Sequence, residues 1–220
     1  MTYTGNVKVG GPSDTREIDG LTVTKLAVGP MDNNAYLLRD TGTGEGLLID
    51  AANDPARVLE MIGDTPITWL VTTHRHWDHW QGLKDVHAAT QGVVVAQTLD
   101  AAELPIPVDD DLSDGDILRF GDAAVSVIHL RGHTPGSVAI LYDAEGRLAD
   151  TPHLFTGDSL FPGGPGKTNS PEDFTSLMND LEERVFGPLP DATWVYPGHG
   201  ADTTLGAERP HLAEWRDRGW

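Results

Sequence analysis

The most informative stretch of the sequence is Thr73-His74-Arg75-His76-Trp77-Asp78-His79. It follows residues 67–73, an apolar run that predicts a buried strand, and it brings three imidazoles and one carboxylate together. A strand end directs the alternate residues His74 and His76 to one side, and the turn that follows presents the Asp-His pair to a neighbouring point. Divalent zinc or iron binds such clusters of nitrogen and oxygen donors. We therefore predict a metal site at this strand end.

Histidines that merely lie on the surface or make hydrogen bonds in the core are the alternative to metal ligands. We assign that role to the isolated histidines, which are His87, His129, His153 and His211. The cluster fits it poorly, because four adjacent polar side chains buried without a metal would each need a partner of their own. Metal binding is the simpler interpretation of the cluster.

Three later segments share one pattern, a strand that delivers a polar residue into a glycine-rich loop. They are Gly132-His133-Thr134-Pro135-Gly136-Ser137, Thr156-Gly157-Asp158-Ser159 and Pro197-Gly198-His199-Gly200. Glycine lets the backbone pass close to a site and adopt positive φ. Each segment alone resembles an ordinary turn. Because all three follow the His/Asp cluster in one chain, we favour His133, Asp158 and His199 as additional metal ligands.

The remaining periodicity predicts strands interleaved with helices. Apolar residues at three- and four-residue spacing predict helices over residues 55–63, 83–90 and 171–186, with Asp54 and Ser170 as N-caps. Residues 1–20 form a polar lead-in, and residues 100–115 are predicted to be a loop. Strands are predicted at residues 21–28, 35–38, 46–50, 67–73, 93–95, 117–120, 124–130, 138–142, 153–156 and 193–196. This order favours one domain, residues 1–220, with two sheets face to face and helices outside.

The succession T-H-R-H-W-D-H, G-H-T-P-G-S, F-T-G-D-S-L-F and Y-P-G-H-G resembles the metallo-β-lactamase superfamily, and within it the glyoxalase II-type proteins. The resemblance implies an α/β fold, a four-layer αβ/βα sandwich of two mixed sheets with metals in a cleft at one edge. It implies two divalent ions, with zinc expected and iron or manganese as alternatives. Carried over by motif, the ligands are His74, His76 and His133 for one ion, Asp78, His79 and His199 for the other, and Asp158 between them.

The same resemblance implies that water activated by the two metals is the nucleophile, with Asp78 and Asp158 in the catalytic centre. A glyoxalase II-like thioesterase acting on acyl-thiol substrates is the expected activity. Lys167, in the glycine-rich turn after Asp158, resembles the basic residue that meets a carboxylate of the thiol. Asn169 stands close to the place of a tyrosine common in that branch. Only about twenty residues follow His199, so we expect no counterpart of the C-terminal helical domain that completes the glutathione site in that branch, and the thiol carrier stays open.

Two other activities fit the motifs. A persulfide dioxygenase of this superfamily would bind one iron through His74, His133 and Asp158, but that branch usually carries an Arg-x-Asp pair where this chain has Lys167-Thr168-Asn169. A lactonase is the third candidate. The chain contains no cysteine, so thiolate ligands and disulfides are excluded.

Net charge separates the classes of partner. A net charge of −19 would repel nucleic-acid phosphates and anionic membranes, because proteins bind both through lysine and arginine side chains. No stretch approaches the apolar length of a membrane span, and residues 1–20 lack the apolar core of a signal peptide. We expect a cytoplasmic protein whose partner is a small thioester or ester, and the sequence leaves its oligomeric state open.

Overall fold

The computed structural model describes residues 3–143 and 151–219. Within them, the first half of the chain forms a seven-stranded sheet in sequence order. Its first four strands pair antiparallel and the remaining pairs are parallel, so the sheet is mixed. The strands are β1 (Asp14–Ile18), β2 (Leu21–Val28), β3 (Asn33–Asp40), β4 (Gly46–Ile49), β5 (Ile67–Val71), β6 (Val93–Gln97) and β7 (Asp110–Leu112).

The second half of the chain forms a six-stranded sheet in the order β15-β14-β11-β10-β9-β8. Among the described strands of this sheet, β11 and β14 alone pair parallel. A short separate hairpin, β12–β13, follows β11. The strands are β8 (Ile117–Phe120), β9 (Ala123–His129), β10 (Val138–Tyr142), β11 (His153–Gly157), β12 (Leu160–Phe161), β13 (Gly164–Pro165), β14 (Trp194–Pro197) and β15 (Thr203–Thr204).

Six α-helices lie between or after these strands in the described residues. They are α1 (Pro55–Ile62), α2 (Leu83–Thr90), α3 (Thr98–Ala101), α4 (Pro171–Asp180), α5 (Leu205–Glu208) and α6 (Leu212–Arg218). Among them, none has the length and apolar character that a bilayer span requires.

Three apolar clusters show how the layers pack. The central cluster joins residues of both sheets, such as Tyr36 and Val71 of the first with Phe155 of the second. A second cluster packs α1 and α2 on the outer face of the first sheet, and a third packs α4 and Trp215 of α6 on the second sheet. The result is the predicted four-layer αβ/βα sandwich, in which burial of apolar faces holds the two sheets together.

The helix of residues 171–186 is confirmed, with a refinement at its end. Ser170 caps α4 by accepting a hydrogen bond from the Asp173 N–H, as its sequence pattern predicts. The last six residues, Leu181–Phe186, widen into a π-helical turn that continues to bury Leu181 and Val185.

Three sequence predictions are corrected. Residues 1–20 are not only a lead-in, because Asp14–Ile18 pair with β2 as an added edge strand; residues 1 and 2 lie outside the described part. Asp54 occupies the N-cap position of α1 but does not cap it; its carboxylate accepts from the Gly29 N–H instead. The predicted loop of residues 100–115 contains β7, which pairs with β6 because that parallel edge offers unpaired backbone groups.

Candidate metal centre

All the predicted ligands follow the C-terminal ends of strands, and the packing of the two sheets brings these ends together. The segment after β5 supplies His74 and His76, and a 3₁₀ turn, Trp77–His79, supplies the Asp-His pair. The loops after β9, β11 and β14 supply one ligand each, which are His133, Asp158 and His199. A backbone hydrogen bond of 2.9 Å from the Val138 N–H to the Thr73 carbonyl joins the sheets beside the site.

Two glycines permit this close approach. A Cβ at Gly157, whose φ is +49°, would lie 2.7 Å from Thr73 Oγ1. A Cβ at Gly198 would lie 2.7 Å from His79 Cε1. Because both contacts are shorter than van der Waals distance, the ligand loops require glycine at these positions.

Three imidazole nitrogens form a first donor group. His133 Nε2 lies 3.3 Å from His74 Nε2 and 2.9 Å from His76 Nδ1. Four nitrogens at the corners of a tetrahedron around zinc, each about 2.1 Å from the ion, would be about 3.4 Å apart. The spacing of this group is therefore close to that of a tetrahedral metal site.

Two imidazoles and a carboxylate form a second group. His79 Nε2 lies 3.2 Å from His199 Nε2, and Asp78 Oδ2 lies 3.6 Å from the first nitrogen and 3.4 Å from the second. Asn33 donates a hydrogen bond of 2.9 Å to the same Asp78 oxygen, which orients the carboxylate. This group has the same spacing as the first but includes an anionic donor.

Asp158 lies between the two groups. Its Oδ2 is 3.7 Å from His133 Nε2 in the first group and 3.4 Å from His199 Nε2 in the second, and its Oδ1 is 3.4 Å from His79 Nε2. That Oδ1 atom is buried and accepts no hydrogen bond from the described residues. A buried carboxylate oxygen without a donor is costly, and a cation would satisfy it.

Hydrogen bonds outside the centre fix the rings. His79 Nδ1 donates to Asp50 Oδ2 at 2.8 Å, His133 Nδ1 to the Lys167 carbonyl at 2.6 Å and His199 Nδ1 to the Met31 carbonyl at 2.8 Å. Each of these rings, when neutral, therefore presents the lone pair of Nε2 to the centre. Metal-binding histidines are oriented in this way, so the residues present fit divalent cations.

The electrostatics of the centre agree with a cation site. Burial opposes ionisation of Asp158, but the neighbouring His199 and His79 rings outweigh it and hold the pKa of the carboxyl well below its usual range. Burial also opposes charge on His79 and His199, yet the neighbouring carboxylates raise the pKa of both rings. In the metal-free protein, protons on these two rings thus supply the positive charge that a bound cation would otherwise bring to the carboxylates.

The structure brings the seven predicted ligands together, and the role predicted for Lys167 in binding a substrate carboxylate stays a prediction. Its carbonyl orients His133, and its side chain is exposed at the end of the β12–β13 hairpin. Sequence reasoning missed the partners of the ligands, which are Asp50, Asn33 and the Met31 carbonyl. Asp50 carried a signal, since it is a carboxylate directly after the buried strand β4.

Comparison with known proteins agrees with this geometry. The family model described as the metallo-beta-lactamase superfamily matches residues 28–199, which include all seven candidate ligands. The chain belongs to the metallo-β-lactamase superfamily. A superfamily member from Cereibacter sphaeroides, named hydroxyacylglutathione hydrolase, is 34% identical over 172 residues, or 76% of this chain. The chain spans 62% of that relative's length.

Three solved structures of this superfamily fold are similar to the chain. BLEG-1 B3 metallo-beta-lactamase shares 29% identity with a TM-score of 0.74, covering 86% of this chain and 96% of its own. ETHE1 from Myxococcus xanthus shares 29% identity with a TM-score of 0.74, covering 86% and 82%. TTHA1623 in a di-iron-bound form shares 32% identity with a TM-score of 0.67, covering 84% and 96%. The superfamily fold is shared across proteins with different names, so the activity must be argued from the site.

Proposed function

We propose that this superfamily member is a binuclear metal-dependent hydrolase that cleaves thioesters between small acyl groups and low-molecular-weight thiols. The observation that carries the proposal is the pair of donor groups joined at Asp158, whose Oδ1 is buried without a donor among the described residues. Seven ligand atoms exceed what one tetrahedral ion takes. A single structural ion would leave one group without a function.

In this proposal the first group, His74, His76 and His133, holds one ion, and Asp78, His79 and His199 hold the other, with Asp158 shared. The donors are imidazole and carboxylate, which suit zinc, iron and manganese. Zinc is the proposed metal, and the di-iron form of TTHA1623 supports iron as the alternative. When bound, two such cations polarise a substrate carbonyl and lower the pKa of a nearby water.

The side chains of the centre have separate roles. Asp78 and Asp158 are ionised at neutral pH, because hydrogen bonds outweigh the effect of burial and lower the pKa of each carboxyl below its usual range. An ionised carboxylate near the reacting carbon orients water and accepts its proton. Asn33 keeps Asp78 turned towards the centre through its hydrogen bond.

The substrate proposed here is supported by the names of the relatives and by the position of the Lys167 side chain. Hydroxyacylglutathione hydrolases are among the matched proteins, and the exposed Lys167 side chain extends from a residue whose carbonyl contacts a candidate ligand. An ammonium at this place suits a carboxylate on the leaving thiol. Because the chain covers 62% of those relatives, we propose an anionic thiol without naming glutathione. The exclusion of nucleic acid and membranes and the cytoplasmic location stay predictions from composition.

A mononuclear iron dioxygenase is the second candidate. Its predicted ligands also lie together, with His133 Nε2 3.3 Å from His74 Nε2 and 3.7 Å from Asp158 Oδ2. It would leave the Asp78, His79 and His199 group without an ion. A lactonase would use both ions on a different ester.

The decisive experiment combines metal analysis with three activity assays on protein purified without added metal. Two ions per chain together with thiol release from an anionic hydroxyacyl thioester, and no oxygen uptake, are expected. One iron per chain with oxygen consumption on a persulfide would replace the proposal with the dioxygenase. Hydrolysis of lactones but not thioesters would favour the lactonase.

A further inference from the structure

Lys25 is a fully buried lysine on β2, away from the candidate ligands. Its side chain has no exposed surface, and its ammonium donates hydrogen bonds to three acceptors. These are the carbonyl of Gly5 at 2.9 Å, the carbonyl of Gly200 at 2.6 Å and Asp202 Oδ1 at 2.6 Å. Lysine is almost never fully buried unless it is paired, so this position has a specific reason.

The acceptors of Lys25 form a closed polar cluster. An ammonium has three donors, and here each has an acceptor. Asp202 neutralises the charge, and its other oxygen accepts hydrogen bonds from the Tyr3 hydroxyl at 2.7 Å and the Trp194 indole N–H at 3.0 Å. The cluster therefore joins the N-terminal segment to the chain that follows β14.

One of the acceptors adjoins a candidate metal ligand. Gly200 follows His199, and its carbonyl also accepts a hydrogen bond of 3.0 Å from the Asn34 side chain. The Asn34 N–H in turn donates to the Gly198 carbonyl at 2.7 Å. The loop is thus held at the residues on both sides of His199, and the Lys25 ammonium makes a charged contact to the Gly200 carbonyl.

His199 depends on such support more than the other candidate ligands of its group. Its side chain is 22% exposed, whereas those of His79 and Asp78 are 0% and 10% exposed. Packing alone therefore fixes it less firmly, and its ring position depends on the backbone of its loop and on the Met31 carbonyl.

We propose that Lys25 is a positioning residue for His199, acting through the Gly200 carbonyl to complete the second donor group. The inference rests on the proposed two-metal function. Outer hydrogen-bond partners of metal ligands typically affect metal affinity by ten- to a hundredfold. Loss of the Lys25 contact should therefore weaken one binding step and spare the other.

The test is a titration of metal-free protein with Zn²⁺ against a chromophoric chelator, with native mass spectrometry to count bound ions. We expect Lys25→Met to bind its first ion within about twofold of the wild type and its second about tenfold or more weakly. Lys8→Met, at an exposed lysine of the same N-terminal segment, is the matched control and should bind both ions normally. His199→Ala should lose binding of the second ion. Adding Lys25→Met to this variant should cause no further loss of metal affinity.

Lys25→Met leaves Asp202 buried without its cation, which can prevent folding. The double variant Lys25→Met/Asp202→Asn removes both charges and keeps an amide oxygen for Tyr3 and Trp194, so it serves as the second probe. The inference would be overturned if the folded variant bound the second ion with unchanged affinity, or if its affinity for both ions fell equally. Either result would leave the proposed function intact. A wild type that never takes a second ion would overturn the proposed function as well.

Discussion

The Nε2 atoms of His79 and His199 face each other across 3.2 Å inside the candidate centre. Burial disfavours charge on both rings, but Asp50, Asp78 and Asp158 outweigh it and raise the pKa of each. Two N–H groups cannot both point into this gap without repulsion. The raised pKa values nevertheless keep at least one of the two rings protonated on both nitrogens at neutral pH, and its Nε2 proton must leave when a cation binds.

Metal binding is therefore expected to release at least one proton per chain at pH 7.5. Affinity should rise as pH increases through the raised pKa of the pair and then level off, because the ligand form of the ring is neutral. Calorimetric titration with Zn²⁺ in two buffers of different ionisation enthalpy measures the release. Equal heats in the two buffers would contradict it.

Asp158→Asn should reduce turnover by about a hundredfold or more and lower the metal content, since the shared carboxylate holds both donor groups. The change keeps the shape of the side chain, so the far-UV circular dichroism should not change. His87→Asn, at a half-buried histidine bonded to the Gly92 carbonyl, is the control and should retain turnover and metal. Similar behaviour of the two variants would reject the ligand assignment.

Lys167→Ala should raise KM for an anionic acyl-thiol thioester with a smaller effect on kcat, the pattern of lost uniform binding. A charge-assisted contact is worth about 1.5–3 kcal/mol, or on the order of ten- to a hundredfold in kcat/KM. A neutral thioester should be almost unaffected. Lys84→Ala, at an exposed lysine of α2, is the control. Equal losses on charged and neutral substrates would show that the Lys167 side chain has a structural role and does not recognise the charge of the leaving thiol.

His153 should make the protein less stable in mild acid. Burial and the positive charge of Arg16 lower the pKa of this ring to about 4, while its Nδ1 lies 2.9 Å from the Tyr196 hydroxyl. The unfolded ring has a pKa of about 6.5, so between about pH 6.5 and 4 only the unfolded chain takes up the proton. Its contribution to stability is complete above about pH 6.5 and is lost as pH falls to about 4, by roughly 3 kcal/mol in total.

The measurement is urea unfolding of the metal-free protein at pH 7.5 and pH 5. His153→Gln should be less stable at pH 7.5 but lose less stability on acidification than the wild type does. His211→Gln, at an exposed histidine, should follow the wild type. If the wild type and His153→Gln lost the same unfolding free energy between pH 7.5 and pH 5, the acid sensitivity would belong to other groups.

Salt should stabilise the protein against heating, because a net charge of −19 produces self-repulsion in the compact state. Between 0.05 and 0.5 M KCl the screening length falls to a few ångströms, so Tm should rise. The double variant Glu60→Gln/Asp64→Asn neutralises two exposed acids at the end of α1. Its Tm at 0.05 M KCl should be higher than that of the wild type, and the increase in Tm on adding KCl should be smaller. A Tm that stays constant or falls with KCl would contradict this expectation.

Most of the longer elements and all the candidate ligands could be predicted from the amino-acid sequence. Period-two and helical patterns identify β2 and α4 because burial of one face is a local property of the chain, and a dense His/Asp motif at a strand end indicates a metal because such donors need partners. It missed β1 and β7, which are edge strands whose pairing depends on a neighbouring strand rather than on their own polar residues.

The orientation of the side chains in the centre depends on contacts that form only when the chain folds. The Met31 carbonyl that fixes His199 lies 168 residues away in the chain, and Lys25 reaches Gly200 across 175 residues. Nothing in the local pattern of either residue indicates these contacts, because they exist only once the two sheets pack face to face. Asp50 differs because its place directly after β4 is a local signal, but its contact with His79, 29 residues away, also forms only in the folded chain. Donor type is encoded locally, but the partners that set each ring's orientation are produced by long-range packing.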